Sequence, residues 1–213
     1  MKSQSIADVL GSNRVIAVLR APDATHYLPV LEALVAGGVG ALELTLTTPG
    51  TIAELPRIIE ALGDGAVVGV GTVLTPDDAA AALDAGARFI VSPNTDVDVI
   101  SAVVQRGGVM LPGAMTPTEV RVAIAAGAGA VKLFPAQTLG VGYLGHLRGP
   151  FPNLAAVPSG GVDVAAAVEW AKAGAVAVSV GGPLLGDALR GGDLGALTKR
   201  AHELSTVVRD AAA

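Results

Sequence analysis

The sequence predicts an α/β protein of the (β/α)8 TIM barrel type, a single domain over residues 1–213 with a short N-terminal helix. Three observations carry that expectation. One unit repeats along the chain, a segment of helical period that ends at a glycine and leads at once into a short apolar run: ALVAGGVGALEL, AALDAGARFIV, AIAAGAGAVKLF and WAKAGAVAVSV. Taken as helix C-caps, Gly37, Gly63, Gly86, Gly107, Gly127 and Gly174 are 26, 23, 21, 20 and 47 residues apart, the last step covering about two units of one helix and one strand. The apolar runs are nearly continuous, the pattern of parallel strands covered on both faces. An open doubly wound sheet is the competing fold, but its early GxGxxG fingerprint is missing, because Gly69-Val70-Gly71 lacks the third glycine.

In chain order the strands are expected near 15–20, 41–46, 67–72, 88–92, 109–112, 130–134, 155–158 and 176–180. Each is followed by a helix, except that the loop after the sixth is irregular. Helix starts are marked by capping residues. Thr116-Pro117-Thr118-Glu119 reads as a capping box with proline at the first helical position, and Thr51-Ile52-Ala53-Glu54 and Thr75-Pro76-Asp77-Asp78 resemble it. In a barrel the chemistry gathers at the C-terminal ends of the strands, so the residues that close each apolar run carry the functional expectation.

Composition narrows the classes. With 51% hydrophobic residues in 213, the chain can bury a large core. It has no cysteine, which excludes a disulfide framework and thiolate metal sites. A formal charge of −5, no basic cluster, and only three Phe, two Tyr and one Trp argue against a nucleic acid partner. Residues 1–12 lack a basic start followed by a long apolar stretch, and no later apolar run is long enough for a bilayer, so no membrane partner and a cytoplasmic location are expected. His26, His146 and His202 lie in helical or loop segments without ligand spacing, so no metal is expected.

Two charges sit where packing alone would not put them. GAVKLFPAQ, residues 129–137, reads as a buried strand with Lys132 in its middle, whereas Lys2, Lys172 and Lys199 lie at the N-terminus or in helical segments. In Leu42-Glu43-Leu44-Thr45-Leu46-Thr47, strict alternation puts Glu43, Thr45 and Thr47 on one face and the leucines on the other. If the leucines pack under helices, Glu43 points into the barrel, and Lys132, between Val131 and Leu133, does the same. A structural ion pair is one reading, but such pairs contribute little net stability against apolar replacements. The reading preferred here makes Lys132 an amine nucleophile among the apolar Ala130, Val131, Leu133 and Phe134, with Glu43 moving protons.

The strings LELTLTTP, GVGTVLTP, IVSPNTD, LPGAMTPTE, VKLFPA and PSGGV, in this order and spacing, resemble the 2-dehydro-3-deoxy-phosphogluconate / 4-hydroxy-2-oxoglutarate (KDPG/KHG) aldolase family over nearly the whole chain. The resemblance implies a metal-independent class I aldolase on a (β/α)8 barrel, usually a homotrimer, with no cofactor and a small 2-keto acid as substrate. It implies that Lys132 forms a Schiff base with the keto group, that Glu43 is the general acid/base, and that Thr72 binds the pyruvate carboxylate. Many members have LEVTLRTP, with a carboxylate-binding arginine at the position of Thr47; Thr47 is expected to bind the carboxylate through one hydrogen bond but brings no charge, and Arg20 at the end of the first strand could supply the missing cation. Gly160-Gly161 and Gly181-Gly182, after the seventh and eighth strands, are placed to bind a phosphate or other distal end of the substrate. Ser159 replaces a typical threonine conservatively, but Pro183 stands where related aldolases typically have serine and has neither hydroxyl nor N–H to offer. An imine-forming decarboxylase of oxaloacetate and a non-catalytic keto-acid-binding barrel are the alternatives.

Overall fold

Val, Leu and Ile runs of three to five residues form β1 (Val15–Leu19), β2 (Ala41–Thr45), β3 (Val67–Gly71), β4 (Phe89–Val91), β5 (Val109–Leu111), β7 (Val131–Leu133), β8 (Ala156–Pro158) and β9 (Val178–Val180), with the dipeptide β6 (Gly113–Ala114) between. The helices are α1 (Ile6–Leu10), α2 (Tyr27–Ala36), α3 (Thr51–Leu62), α4 (Pro76–Asp84), α5 (Val97–Gln105), α6 (Pro117–Ala125), α7 (Ala136–Leu139), α8 (Gly142–Arg148), α9 (Val164–Lys172), α10 (Gly182–Leu185) and α11 (Leu194–Ala211). This computed structural model describes residues 5–212. Lys2 and the first four residues of the 1–12 stretch lie outside the described residues.

Every strand pairing is parallel. Hydrogen-bonded order runs β5-β4-β3-β2-β1-β9 through six strands, and a separate sheet runs β6-β7-β8. The expected eight strands are therefore nine. The fifth breaks at Pro112, which has no N–H for the ladder although its carbonyl still accepts from Lys132 N–H at 2.9 Å. Between β8 and β9 the contact is reduced to one bridge, Ser159 with Ser179, and the Val176 N–H to Ala156 carbonyl bond of 3.0 Å. The observed architecture is a curled parallel sheet with helices outside, and the eight-stranded hydrogen-bonded ring is matched in part.

Local signals place most helices. Thr116 caps α6 in a capping box with Glu119, and Thr75 caps α4 through the Asp78 N–H. The third signal needs correction: α3 starts at Thr51 itself behind Gly50, because the Thr51 hydroxyl donates to the Thr45 and Thr48 carbonyls and so ties the helix to the end of β2. The irregular loop after β7 folds into the short α7 and α8.

The buried side chains fall into two groups. Leu42, Leu44, Val131 and Leu133 pack outward under the helices, each leucine contributing about 1.5–3 kcal/mol by burial. Ile16, Phe89, Val109, Leu111 and Val157 point inside the curl, where Ile6, Val9 and Leu10 of α1 join them. Phe89 and Val109 open their strands, and Ala130 and Ala177 of the same group directly precede β7 and β9, so α1 covers the strand-start end. The opposite end is left for the charges.

Candidate active site

The alternation that buries Leu42 and Leu44 turns Glu43 and Thr45 into the curl, and the one that buries Val131 and Leu133 turns Lys132 toward them. Glu43 is 1% exposed and Lys132 8%. Lys132 Nζ stands 3.8 Å from Glu43 Oε1, an ion-pair distance too long for a hydrogen bond. Glu43 Oε2 is buried with no hydrogen-bond partner. Such an orphan is costly unless something that visits the site uses it. Nζ also lies 5.2 Å from the centroid of the Phe134 ring, so a cation at that nitrogen, whether ammonium or protonated imine, meets a carboxylate and an aromatic face.

A cavity of about 300 Å³ opens over this pair. It gathers Arg20, Thr72, Ser159, Gly160, Gly161, Gly181 and Gly182 with Glu43 and Lys132, so nearly all the residues expected from sequence converge on one space. Thr72 follows β3 with φ 59°, the left-handed region that a β-branched residue rarely adopts. Strain of this kind concentrates at ligand sites. Gly160 and Gly161 have φ 90° and 73°, and a Cβ on Gly161 would stand 2.4 Å from Gln137 Oε1. Arg20 lies exposed at the rim just past β1.

Thr47 is not part of the lining. β2 ends at Thr45, and Thr47 is exposed in the turn beyond it. Its hydroxyl donates to Thr45 Oγ1 at 3.0 Å, and Thr45 in turn donates to the Leu19 carbonyl at 3.0 Å. Thr47 therefore reaches the cavity only through Thr45. Ser179 and Pro93 line the cavity and were not anticipated. Ser179 could have been found, since Val178-Ser179-Val180 repeats the alternation that singled out Lys132.

Among the described residues no group of three or more His, Asp and Glu is arranged to hold a metal ion. Another cavity of about 290 Å³, lined by Ile124, Phe151 and Leu154 among others near the starts of β7 and β8, contains no ionisable side chain. What the strand-end cavity can do is form an imine: an amine, a carboxylate within proton-transfer reach through one water or a substrate hydroxyl, and surrounding hydroxyl and glycine donors. On a curled parallel sheet ringed by helices, that arrangement defines the class of imine-forming lyases.

Comparison with known proteins agrees. The KDPG and KHG aldolase family matches residues 6–199, and the chain belongs to that family, whose activity is that of a lyase. It is 33% identical to the KHG/KDPG aldolase of Escherichia coli K12, with 93% of this chain and 94% of that one aligned. It is 34% identical to the 2-dehydro-3-deoxy-6-phosphogalactonate aldolase of the same organism, over 80% and 83% of the two chains. A crystal structure of KDPG aldolase from Legionella pneumophila, with pyruvate captured as a covalent carbinolamine, superposes with a TM-score of 0.87 at 28% identity, covering 95% and 98% of the chains.

Proposed function

We propose that the chain cleaves 2-keto-4-hydroxy acids, such as 2-keto-3-deoxy-6-phosphogluconate or 4-hydroxy-2-oxoglutarate, to pyruvate and an aldehyde, glyceraldehyde 3-phosphate or glyoxylate. The observation that carries this reading is the buried Lys132 beside a Glu43 whose second oxygen has no partner. Lys132 Nζ attacks the C2 ketone. Glu43 gives a proton to the departing water as the carbinolamine becomes a protonated imine. It then accepts the C4 hydroxyl proton, directly or through a water. The C3–C4 bonding pair moves into the imine, leaving an enamine and releasing the aldehyde. Protonation at C3 and hydrolysis return pyruvate and the free amine. Thr72 with Arg20 holds the C1 carboxylate, and Thr47 acts by orienting the Thr45 hydroxyl. Ser159, Gly160, Gly161, Gly181 and Gly182 border the distal end.

The same proposal covers the molecule around the site. The two sheets act as one closed (β/α)8 barrel in a single domain over 1–213; the Ser159–Ser179 bridge and chain continuity through Pro112 favour this. The chain assembles as a homotrimer and works in the cytoplasm. Exposed Leu74, Val97 and Met115, each at or just before the start of the helix that follows a strand, favour assembly. Among the described residues no helix is long and apolar enough to cross a membrane.

Borohydride reduction in the presence of pyruvate should add one adduct, located on Lys132 by peptide mass spectrometry. Lys132→Ala should lose both adduct and turnover, and Glu43→Gln should keep its fold while cleavage falls by roughly 10²-fold or more. An adduct on another lysine, or none at saturating pyruvate, overturns the mechanism.

A further inference from the structure

The paired register of β1 with β2 ends at Leu19 opposite Leu44. Beyond that pair the two strand ends stay joined through hydroxyl groups. The Leu19 carbonyl accepts from Thr45 Oγ1 at 3.0 Å and from the hydroxyl of Tyr27, the first residue of α2, at 3.3 Å. Two residues further on, the Ala21 N–H donates to Thr48 Oγ1 at 3.0 Å, and the Ala24 N–H donates to the Pro49 carbonyl at 3.0 Å. Thr45 and Thr48 are 1% exposed and Tyr27 is fully buried, so water does not compete for these bonds.

The turn that supplies the hydroxyls is itself closed. Thr48 N–H donates to the Thr45 carbonyl at 3.0 Å, the Thr51 hydroxyl donates to the Thr45 and Thr48 carbonyls, and Thr47 donates to Thr45 Oγ1. The next two strand junctions are built differently. They continue past the strands through backbone bonds, Leu46 N–H to the Gly71 carbonyl at 2.8 Å and Val73 N–H to the Val91 carbonyl at 3.1 Å. Only one residue lies between the held Leu19 carbonyl and the held Ala21 N–H, and it is Arg20. Both peptide groups that flank Arg20 are thus fixed from the neighbouring strand end, although the residue itself is exposed at the rim of the cavity. A long side chain has much rotamer freedom to lose on binding, and a fixed Cα–Cβ direction narrows what it must search.

We infer that Thr48 and Tyr27 are positioning residues for recognition of the substrate carboxylate: with Thr45 they hold the peptides on either side of Arg20, so that its guanidinium meets the C1 carboxylate in a preset direction. The inference rests on the reading that Arg20 binds this carboxylate and extends it to two residues that do not line the cavity. Removing the Thr48 oxygen releases the Ala21 N–H, and the loop then settles into several arrangements of which few present the guanidinium. Every 2-keto acid carries the same C1 carboxylate, so the loss falls on all of them alike.

Steady-state kinetics of full-length Thr48→Val, Thr48→Ser and Tyr27→Phe, each made in wild type and in Arg20→Gln, test this. Arg20→Gln alone should raise KM for 4-hydroxy-2-oxoglutarate by about tenfold or more with kcat changed less than about twofold. Thr48→Val, nearly isosteric, should raise KM about threefold to tenfold, Thr48→Ser should restore it, and Tyr27→Phe, which keeps the buried ring, should raise it about twofold to threefold. In the Arg20→Gln background none of these should raise KM further, while the melting temperature falls equally in both backgrounds. A merely structural role would lower stability without that dependence on Arg20. The pyruvate concentration that half-saturates borohydride trapping on Lys132 should shift in parallel, since pyruvate has no other anionic group. Additive KM losses, or an unchanged KM in Thr48→Val and Tyr27→Phe, overturn the inference. An unchanged KM in Arg20→Gln removes Arg20 from the carboxylate and the inference with it, whereas failure of wild type to form any adduct on Lys132 rejects the aldolase reading itself. Should Thr48→Val fail to fold, Tyr27→Phe carries the same comparison.

Discussion

Gly71 shows how closely the Glu43 carboxylate is enclosed. A Cβ built at this position would lie 2.1 Å from Glu43 Oε1 and 2.7 Å from its Cγ, and Glu43 is too buried to step aside. Gly71→Ala should therefore destabilise the protein by about 1–3 kcal/mol, as overpacking does. It should also cut kcat by more than tenfold, while Ala at the open Gly107 is structurally milder apart from its backbone cost. A Gly71→Ala enzyme with unchanged kcat would mean that Glu43 tolerates displacement and is not positioned for proton transfer. The placement of Glu43 and Lys132 was legible because a charged residue between two apolar ones in a buried strand can only face inward. Gly71 was not, since its reason is a side chain on the neighbouring strand: Thr45 pairs with Gly71, two residues beyond Glu43 with Gly69. Thr72 illustrates a second limit. GTVL gives its resemblance but not its φ of 59°, which follows from how the chain leaves β3. Thr47 shows a third, because alternation holds only while the strand lasts, and β2 ends two residues earlier.

At the scale of an element, α6 links a cap to the strand pair that carries Lys132. Its capping box was readable from Thr116 and Glu119, since the motif is local and needs no tertiary partner. The surrounding network was not readable: Glu119 also accepts from Met115 N–H at 2.8 Å, and the Tyr143 hydroxyl from α8 donates to the Met115 carbonyl at 2.8 Å. The Met115 N–H, followed by the Thr116 hydroxyl, holds the Glu119 carboxyl below its ordinary value of 4.5. The folded state thus binds this proton less readily than the unfolded state. The resulting stability is present above about pH 4.5 and is lost as pH falls through the lowered folded value. Thermal melts of wild type and Glu119→Gln should differ at pH 7 and converge in this contribution as pH falls below the lowered folded value, with Thr116→Ala costing about 1 kcal/mol at neutral pH. A difference that persists undiminished in acid would assign the effect of Glu119 to packing instead of charge. Pro112 marks where element reading failed in the other direction. A proline inside an apolar run near its end looks like a strand terminus, whereas the structure resumes pairing at Gly113, opposite Lys132.

Over the whole molecule, the helix-and-strand repeat made the order of elements and their parallel arrangement legible, but not how the strands divide. Single-residue bridges such as Ser159 with Ser179 depend on curvature, which no local pattern encodes. The division matters for function because the site straddles it. Glu43 and Thr72 stand on or just past strands of the six-stranded sheet, while Lys132 and Ser159 belong to the three-stranded side. At the active site the two sides meet, among the described residues, through the Ser159–Ser179 bridge and, across the cavity, only through the 3.8 Å ion pair, which is long and forms no hydrogen bond. A pyruvate bound covalently to Lys132, with its carboxylate held by Thr72, would join the two sheets across the cavity. Hydrogen exchange can see this. Without ligand, β1 and β2, each flanked on both sides by paired strands, should exchange slowest, and the two-residue β6 with its neighbours faster. After reductive trapping with pyruvate, protection should rise most at residues 131–133 and 156–159 and little in β1 and β2, with a higher melting temperature than the borohydride-treated, pyruvate-free control. Thr72→Ala should still form the adduct at high pyruvate but lose most of the added protection, because the bridge would then be anchored at one end. If protection instead rises uniformly through both sheets, or stays unchanged while the adduct is complete, the keto acid does not span the division and Thr72 does not hold its carboxylate.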